Sequence, residues 1–367
     1  TIDFEGQTID NVDGVFGSLN QGILTQIGAD IDSVMVQLNS VTDSILADHS
    51  AKDTFSFVIT EPGTISVFTS DADSLSTTGV LLNSSQNVLA VDDPDKKYYY
   101  DSGAEGDYNI TAYISTPGTY FATVKTSDLE LDMAYKFNVS FEAGIITSDD
   151  YSGIMTEATV VALNSVTGGT LNTGNDRDCF SVIVTEPGIL TIDTTETTGA
   201  GDSGSTLSTL VNSNGDVLKM GGGDNSDDVM NVNVAPGTYY FTIELLDVNS
   251  NIDNYSTDVS FVAAPAISVE VNSTTSAEMF EEVSDVYKIT VTESGTLSVA
   301  TSGDDVDTHG TLSHLNGNVI GTNEDIDSDD YNFNITSSVA AGTYYVVVRG
   351  YDEYEEGDYD FVVTFNP

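Results

Sequence analysis

The stretch AAGTYYVVVRGYDE (340–353) decides how this chain is read, because it occurs in two earlier versions, TPGTYFATVKTSD (116–128) and APGTYYFTIELLD (235–247). After each Gly-Thr the apolar residues fall on alternate positions, the mark of a strand with one face on a core. Tyr120, Ala122 and Val124 share a frame with Tyr239, Phe241 and Ile243, and with Tyr344, Val346 and Val348. That frame is predicted to point inward in three places.

Other blocks repeat in step with it. LNSVT (38–42) returns as LNSVT (163–167) and VNSTT (271–275), followed by DTFSFVITEPG (53–63), DRDCFSVIVTEPG (176–188) and SDVYKITVTESG (284–295). The period of about 105 to 125 residues is that of whole domains and not of solenoid turns. In the second block Phe55, Phe57 and Ile59 correspond to Phe180, Val182 and Val184, and to Tyr287, Ile289 and Val291. The Pro-Gly that closes two of these blocks reads as a tight turn, with a φ-restricted and a φ-permissive residue side by side. The last strand alternates as well: Tyr135, Phe137, Val139 and Phe141 match Tyr255, Thr257, Val259 and Phe261, then Tyr359, Phe361, Val363 and Phe365.

The third copy predicts about eight short strands, near 267–272, 285–292, 296–301, 310–315, 318–321, 330–336, 343–349 and 358–365, with no convincing helix. The expected fold is all-β: three tandem jelly-roll-like antiparallel β-sandwich domains over 36–145, 146–265 and 266–367, preceded by an N-terminal arm, 1–35. The arm has no counterpart before the other copies. The arm is expected either to fold over its own first domain, the default reading, or to add as a strand to a neighbouring subunit, in which case Ile2, Phe4 and Ile9 would serve assembly.

Composition narrows the function. With 59 acidic and 9 basic residues the formal charge is −50, which leaves no basic patch for nucleic acid or an anionic membrane surface. Copies of such a chain approach one another only where salt or divalent cations screen the charge, as in a saline or calcium-rich exterior. A hydrophobic fraction of 39%, with 18 Tyr and 15 Phe, is that of a folded protein rather than a disordered acidic tail. The single Cys179 forms no internal disulfide. No apolar run approaches the roughly 18 residues of a spanning helix, and a start at Thr1 is what removal of a signal peptide would leave.

The third copy resembles the bacterial pre-peptidase C-terminal domain, also known as the collagen-binding domain of clostridial collagenases. The resemblance rests on an Asp-x-aromatic strand, a turn, DDVDTHGTLSHLNGNVI (304–320), an acidic loop, and AAGTYYVVVRG before GDYDF (357–361). It extends from about residue 36 to 367, with the middle of the first two copies rewritten. It implies a jelly-roll fold, an extracellular setting, frequent calcium binding in acidic loops and no catalytic activity.

Candidate chemistry is sparse. GDSGS (201–205) looks like a serine-nucleophile sequence, but a nucleophile needs a His base and an orienting acid. Only His49, His309 and His314 exist, and Ser203 aligns with Ser74 and Thr308, so a turn is the better reading. Calcium takes six to eight oxygens, which flexible acidic loops supply. Candidate ligands are Asp92, Asp93 and Asp95 in the first copy and Asp224, Asp227 and Asp228 in the second; in the third they are Asp325, Asp327, Asp329 and Asp330, with Asp304 and Asp307. Tyr98, Tyr99 and Tyr100, following two lysines, are candidates for stacking on a sugar or burying in a partner. Six N-x-S/T sequons, at Asn83, Asn109, Asn138, Asn254, Asn272 and Asn334, are close to chance in so Asn-, Ser- and Thr-rich a chain.

The sequence therefore predicts a secreted, non-enzymatic structural protein at the cell surface, self-associating into an extracellular filament, sheath or surface matrix. The alternative is an adhesin or substrate-binding module for polysaccharide or protein.

Overall fold

The computed structural model describes residues 2–4, 7–9, 33–47, 51–70, 76–92, 107–126, 133–144, 149–172, 176–198, 206–222, 228–245, 253–281, 283–303, 306–324, 326, 330–351 and 355–367. Six sheets build three sandwiches. The chain divides into two compact units, the first holding sandwich one and the second sandwiches two and three, with the main break between Ile145 and Ile146.

Ahead of the sandwiches β1 (Ile2–Phe4) pairs antiparallel with β2 (Gln7–Ile9), Ile2 opposite Ile9. Sandwich one contains β3 (Val34–Met35), β4 (Ser40–Leu46), β5 (Asp53–Ile59), β6 (Gly63–Ser70), β7 (Thr78–Asn83), β8 (Val88–Asp92), β9 (Asn109–Ile114), β10 (Gly118–Lys125) and β11 (Met133–Ala143). Its sheets run β3-β5-β10-β7-β8 and β4-β11-β6-β9. Val34 and Met35, assigned by sequence to the arm, form the edge strand of the first of these, parallel to β5.

Sandwich two repeats the order with β12 (Thr159–Val160), β13 (Ser165–Leu171), β14 (Arg177–Val184), β15 (Gly188–Thr198), β16 (Thr206–Val211), β17 (Val217–Gly222), β18 (Asp228–Val234), β19 (Gly237–Leu245) and β20 (Asp253–Ala263). Sandwich three does so with β21 (Ile267–Val269), β22 (Ser273–Met279), β23 (Asp285–Val291), β24 (Gly295–Ser302), β25 (Thr308–His314), β26 (Val319–Asn323), β27 (Asn334–Val339), β28 (Gly342–Gly350) and β29 (Gly357–Asn366). The strand expected at 267–272 ends at Val269, and a strand not expected from sequence, β22, follows the turn in the other sheet.

The turn between those two strands explains the repeated Asn-Ser. Asn39, Asn164 and Asn272 have φ of 58°, 59° and 57°. Their Oδ1 atoms accept the N–H groups of Phe141, Phe261 and Phe365 at 2.8, 3.0 and 2.8 Å, tying each turn to the last strand. Asn is among the few side chains that tolerate this backbone. The following Ser40, Ser165 and Ser273 each donate 2.6 Å to a carbonyl three residues back.

The predicted inward frames are buried in all three copies, including Phe57, Phe180 and Tyr287 at full burial, except that Phe141, Phe261 and Phe365 near the end of the last strand are half-buried. Phe55 stacks on Phe137 at 4.0 Å and Tyr287 on Phe361 at 4.1 Å, each joining the two sheets of its sandwich. The turn glycines act differently from the expectation. Gly63, Gly188 and Gly295 do not have left-handed φ; an added Cβ would overlap the rings of Phe141, Phe261 and Phe365 and the next carbonyl. Glycine is required there by the close approach of the last strand.

Within the second unit, sandwiches two and three meet at a glycine pair. Gly317, φ +83°, lies against Gly237 so closely that a Cβ on it would overlap Gly237 Cα and sit 2.8 Å from Pro236 O. Beside it Asn233 Nδ2 donates to Ser284 O at 2.7 Å.

Candidate metal centre

Each sandwich places an aspartate at or near the start of its third strand and a tyrosine on its last. Tyr135 Oη donates to Asp53 Oδ2 at 2.6 Å, Tyr255 to Asp178 Oδ2 at 2.5 Å, and Tyr359 to Asp285 Oδ2 at 2.6 Å. The copies satisfy the pair differently. Ser44 Oγ adds a second donor to Asp53 Oδ2 at 2.6 Å, and in the third sandwich the Tyr287 and Tyr359 hydroxyls are 2.8 Å apart. In the second, Asp178 is fully buried and its other oxygen, Oδ1, has no partner among the described residues.

Two more carboxylates reach this aspartate. The segment before β12 is drawn against β14: Cys179 N–H donates to Ser152 O at 3.0 Å, and a Cβ on Gly153 would sit 2.7 Å from Arg177 O. Tyr151 anchors the segment, its ring edge-on to Phe180 at 4.7 Å and its hydroxyl donating to Gly168 O at 3.0 Å. Asp149 and Asp150 thereby come beside Asp178, with one oxygen of each within 4.8 Å of the others. Asp150 Oδ2 accepts the Thr170 N–H at 2.9 Å, and neighbouring Asp176 Oδ2 accepts the Asn172 N–H at 2.5 Å.

The electrostatics are those of crowded anions. Burial pushes the Asp178 carboxyl up to about 8, opposed by the Tyr255 hydroxyl and reinforced by Asp176, Asp150 and Asp149. Asp176 rises to about 6, chiefly by burial, with Asp149 and Asp150 adding to it. Asp149 is raised by burial and by Asp150. An all-oxygen set with a buried, unpartnered carboxylate oxygen fits a hard cation, and calcium accepts flexible oxygen cages more readily than magnesium.

Sequence reasoning passed over these residues. The signal was Asp176-x-Asp178 together with Asp149-Asp150: the positions of Asp176 in the other copies hold Ala51 and Val283, and the residues leading into β21 are Ala264, Pro265 and Ala266. Among the described residues no second cluster of this kind occurs.

Of the predicted metal ligands, Asp92, Asp307 and Asp330 have described side chains. Asp92 Oδ2 accepts the Asn109 N–H at 2.7 Å, and Asp330 Oδ1 accepts both the N–H and Nδ2 of Asn332. Asp307 N–H donates to Glu355 Oε2 at 3.2 Å, and its carbonyl accepts the Tyr351 N–H. Asp93, Asp95, Asp224, Asp227, Asp304, Asp325, Asp327 and Asp329, the side chain of Asp228, Tyr98, Tyr99 and Tyr100, and Ser203 lie outside the described residues, as do the side chains of Ile2, Phe4 and Ile9.

Residues 283–350, in the third sandwich, match the bacterial pre-peptidase C-terminal domain family, a non-catalytic module that is typically extracellular. The solved pre-peptidase C-terminal domain of collagenase from Bacillus anthracis is 22% identical, covering 30% of this chain and 95% of that chain, with a TM-score of 0.23. The human CUB1-EGF-CUB2 domains of MASP-1/3 align at 9% identity over 60% of this chain and all of that chain, TM-score 0.19. A triple jelly roll from an archaeal virus turret aligns at 10% identity over 90% and 83%, TM-score 0.17. No curated protein is significantly similar in sequence. Among the described residues no helix is long and apolar enough to cross a membrane, which says nothing of a β-barrel. The chain is a tandem array of three β-sandwiches.

Proposed function

We propose that this protein is a secreted, non-enzymatic structural protein that self-associates into an extracellular filament, sheath or surface matrix, with calcium held in its second sandwich. The observation that carries the calcium part is that Asp178, whose buried Oδ1 has no partner among the described residues, clusters with Asp149 and Asp150. Three carboxylates this close repel one another unless protonated or bridged, and a divalent cation neutralises them at the pH of most exteriors. The same cation, at millimolar levels, screens the charge of −50 that keeps copies apart.

The structural role is supported by three copies of one strand order and by an N-terminal hairpin, β1 with β2, paired within itself. Electron microscopy of the purified chain in millimolar calcium and in chelator tests it. Calcium-dependent filaments or sheets, lost on deleting residues 1–32, are expected. Single particles in both conditions would overturn self-assembly and favour the adhesin reading.

A further inference from the structure

The six sequons are alike in sequence and unlike in structure. Asn138 Nδ2 donates to Ser70 Oγ, Lys136 O and Phe68 O at 2.9, 3.2 and 3.4 Å, so its reactive nitrogen is engaged. Asn83 Oδ1 holds the hairpin turn through the N–H groups of Ser85 and Asn87. Half-buried Asn254 accepts the Thr170 hydroxyl at 2.6 Å. Asn272 serves the left-handed turn, and Asn39 and Asn164 do the same job where Val41 and Val166 replace the sequon hydroxyl, so the fold alone accounts for that asparagine.

Asn109 and Asn334 differ from these four. They begin β9 and β27, each at the edge of its four-stranded sheet, and both are exposed, as is Asn272, but neither holds a left-handed turn. Both open the same tripeptide, Asn-Ile-Thr, with Ile110 and Ile335 buried and the Asn and Thr on the opposite face. Their backbones are pinned alike: Asn109 N–H donates to Asp92 Oδ2 at 2.7 Å and Asn334 N–H to Asn323 Oδ1 at 2.6 Å. Asn334 Oδ1 accepts the Ser298 and Thr336 hydroxyls at 3.1 and 3.4 Å, and no acceptor for either Nδ2 is found among the described residues. Neither strand carries a charged residue, in a chain with 59 acids, although charge is the usual protection of a sheet edge.

We propose that Asn109 and Asn334 are N-glycosylation sites, and that the sugar covers these uncharged edges. The donor is an oligosaccharide carried on a lipid phosphate or diphosphate. The Asn Nδ2 attacks the anomeric carbon, the N–C bond forms, the bond from that carbon to the phosphate oxygen breaks, the lipid phosphate leaves with the electron pair, and the amide proton passes to a base of the transferase. The assignment rests on the export reading above.

The test is glycopeptide mass mapping of the protein purified from the cells that make it, after Glu-C digestion, with cell fractions kept separate. Glycan on Asn109 and Asn334, none on the other four, and loss at 334 alone in Thr336→Ala are the expected results. Exported protein with unmodified Asn109 and Asn334 would overturn the glycan assignment and leave export standing. Protein found only inside cells would overturn both.

Discussion

Tyr359 donates 2.6 Å to Asp285 across the gap between the two sheets of the third sandwich, 74 residues along the chain, and the equivalent bonds span 82 and 77 residues in the other two. A hydroxyl that satisfies a half-buried or buried acid in this way fixes the last strand against the third in every copy. Phe in place of Tyr359 leaves the Asp285 oxygen unsatisfied, at a cost of about 1–3 kcal/mol. Urea denaturation of Tyr359→Phe should show that loss; an unchanged midpoint would mean the pair is ornamental.

The second sandwich should be a pH-dependent calcium sensor of its own stability. The folded-state value of Asp178 is raised to about 8 from an unfolded value of roughly 3.9, so the proton binds the folded form more tightly. That stability is complete below the unfolded value and is lost as pH rises from about 4 through 8. In chelator, Tm should fall between pH 5 and pH 8; in millimolar calcium the fall should disappear. Asp178→Asn should remove both the slope and the calcium shift, and a calcium shift that survives in this variant would place the ion elsewhere.

Tyr108 makes the opposite kind of prediction. It is fully buried and its hydroxyl has no partner among the described residues, while Phe333 fills the equivalent place over Gly310 as Tyr108 does over Gly79. Removing an unsatisfied buried hydroxyl is neutral or favourable, so Tyr108→Phe should hold or raise stability by up to about 1 kcal/mol. A loss above that in thermal unfolding would reveal a hidden partner.

Ala at Gly317 would combine a left-handed φ of +83° with an overlap onto Gly237. The cost of such overpacking is about 1–3 kcal/mol, and it falls on the contact between sandwiches two and three. Hydrogen exchange in Gly317→Ala should quicken at 233–238 and 284 while the cores of β23 and β28 stay protected. Uniform protection throughout would show that the joint does not depend on this glycine.

How much was legible follows from these residues. The frames of Tyr344, Val346 and Val348 and of their counterparts were readable because side-chain direction along a strand alternates with a period of two, a property of the local chain. The three sandwiches and their apolar faces followed from that alone. The Asn-Ser motif was visible as a repeat but not as a turn, since its meaning lies in Oδ1 of Asn272 meeting Phe365, 93 residues on.

Acid-dense loops are legible in sequence, whereas the cluster of Asp149, Asp150 and Asp178 is not, because a segment lying along β14 brings it together. The Pro-Gly turn was readable as a turn, yet only the ring of Phe141 beside Gly63 shows why glycine is required. The sequence by itself determined the number of domains' worth of strands, the face each strand buries and the acidic character of the chain. The tertiary structure decided which carboxylates meet, which glycines are crowded and which sequons are open, because cross-strand partners are set by register and sheet order rather than by any pattern along a single strand.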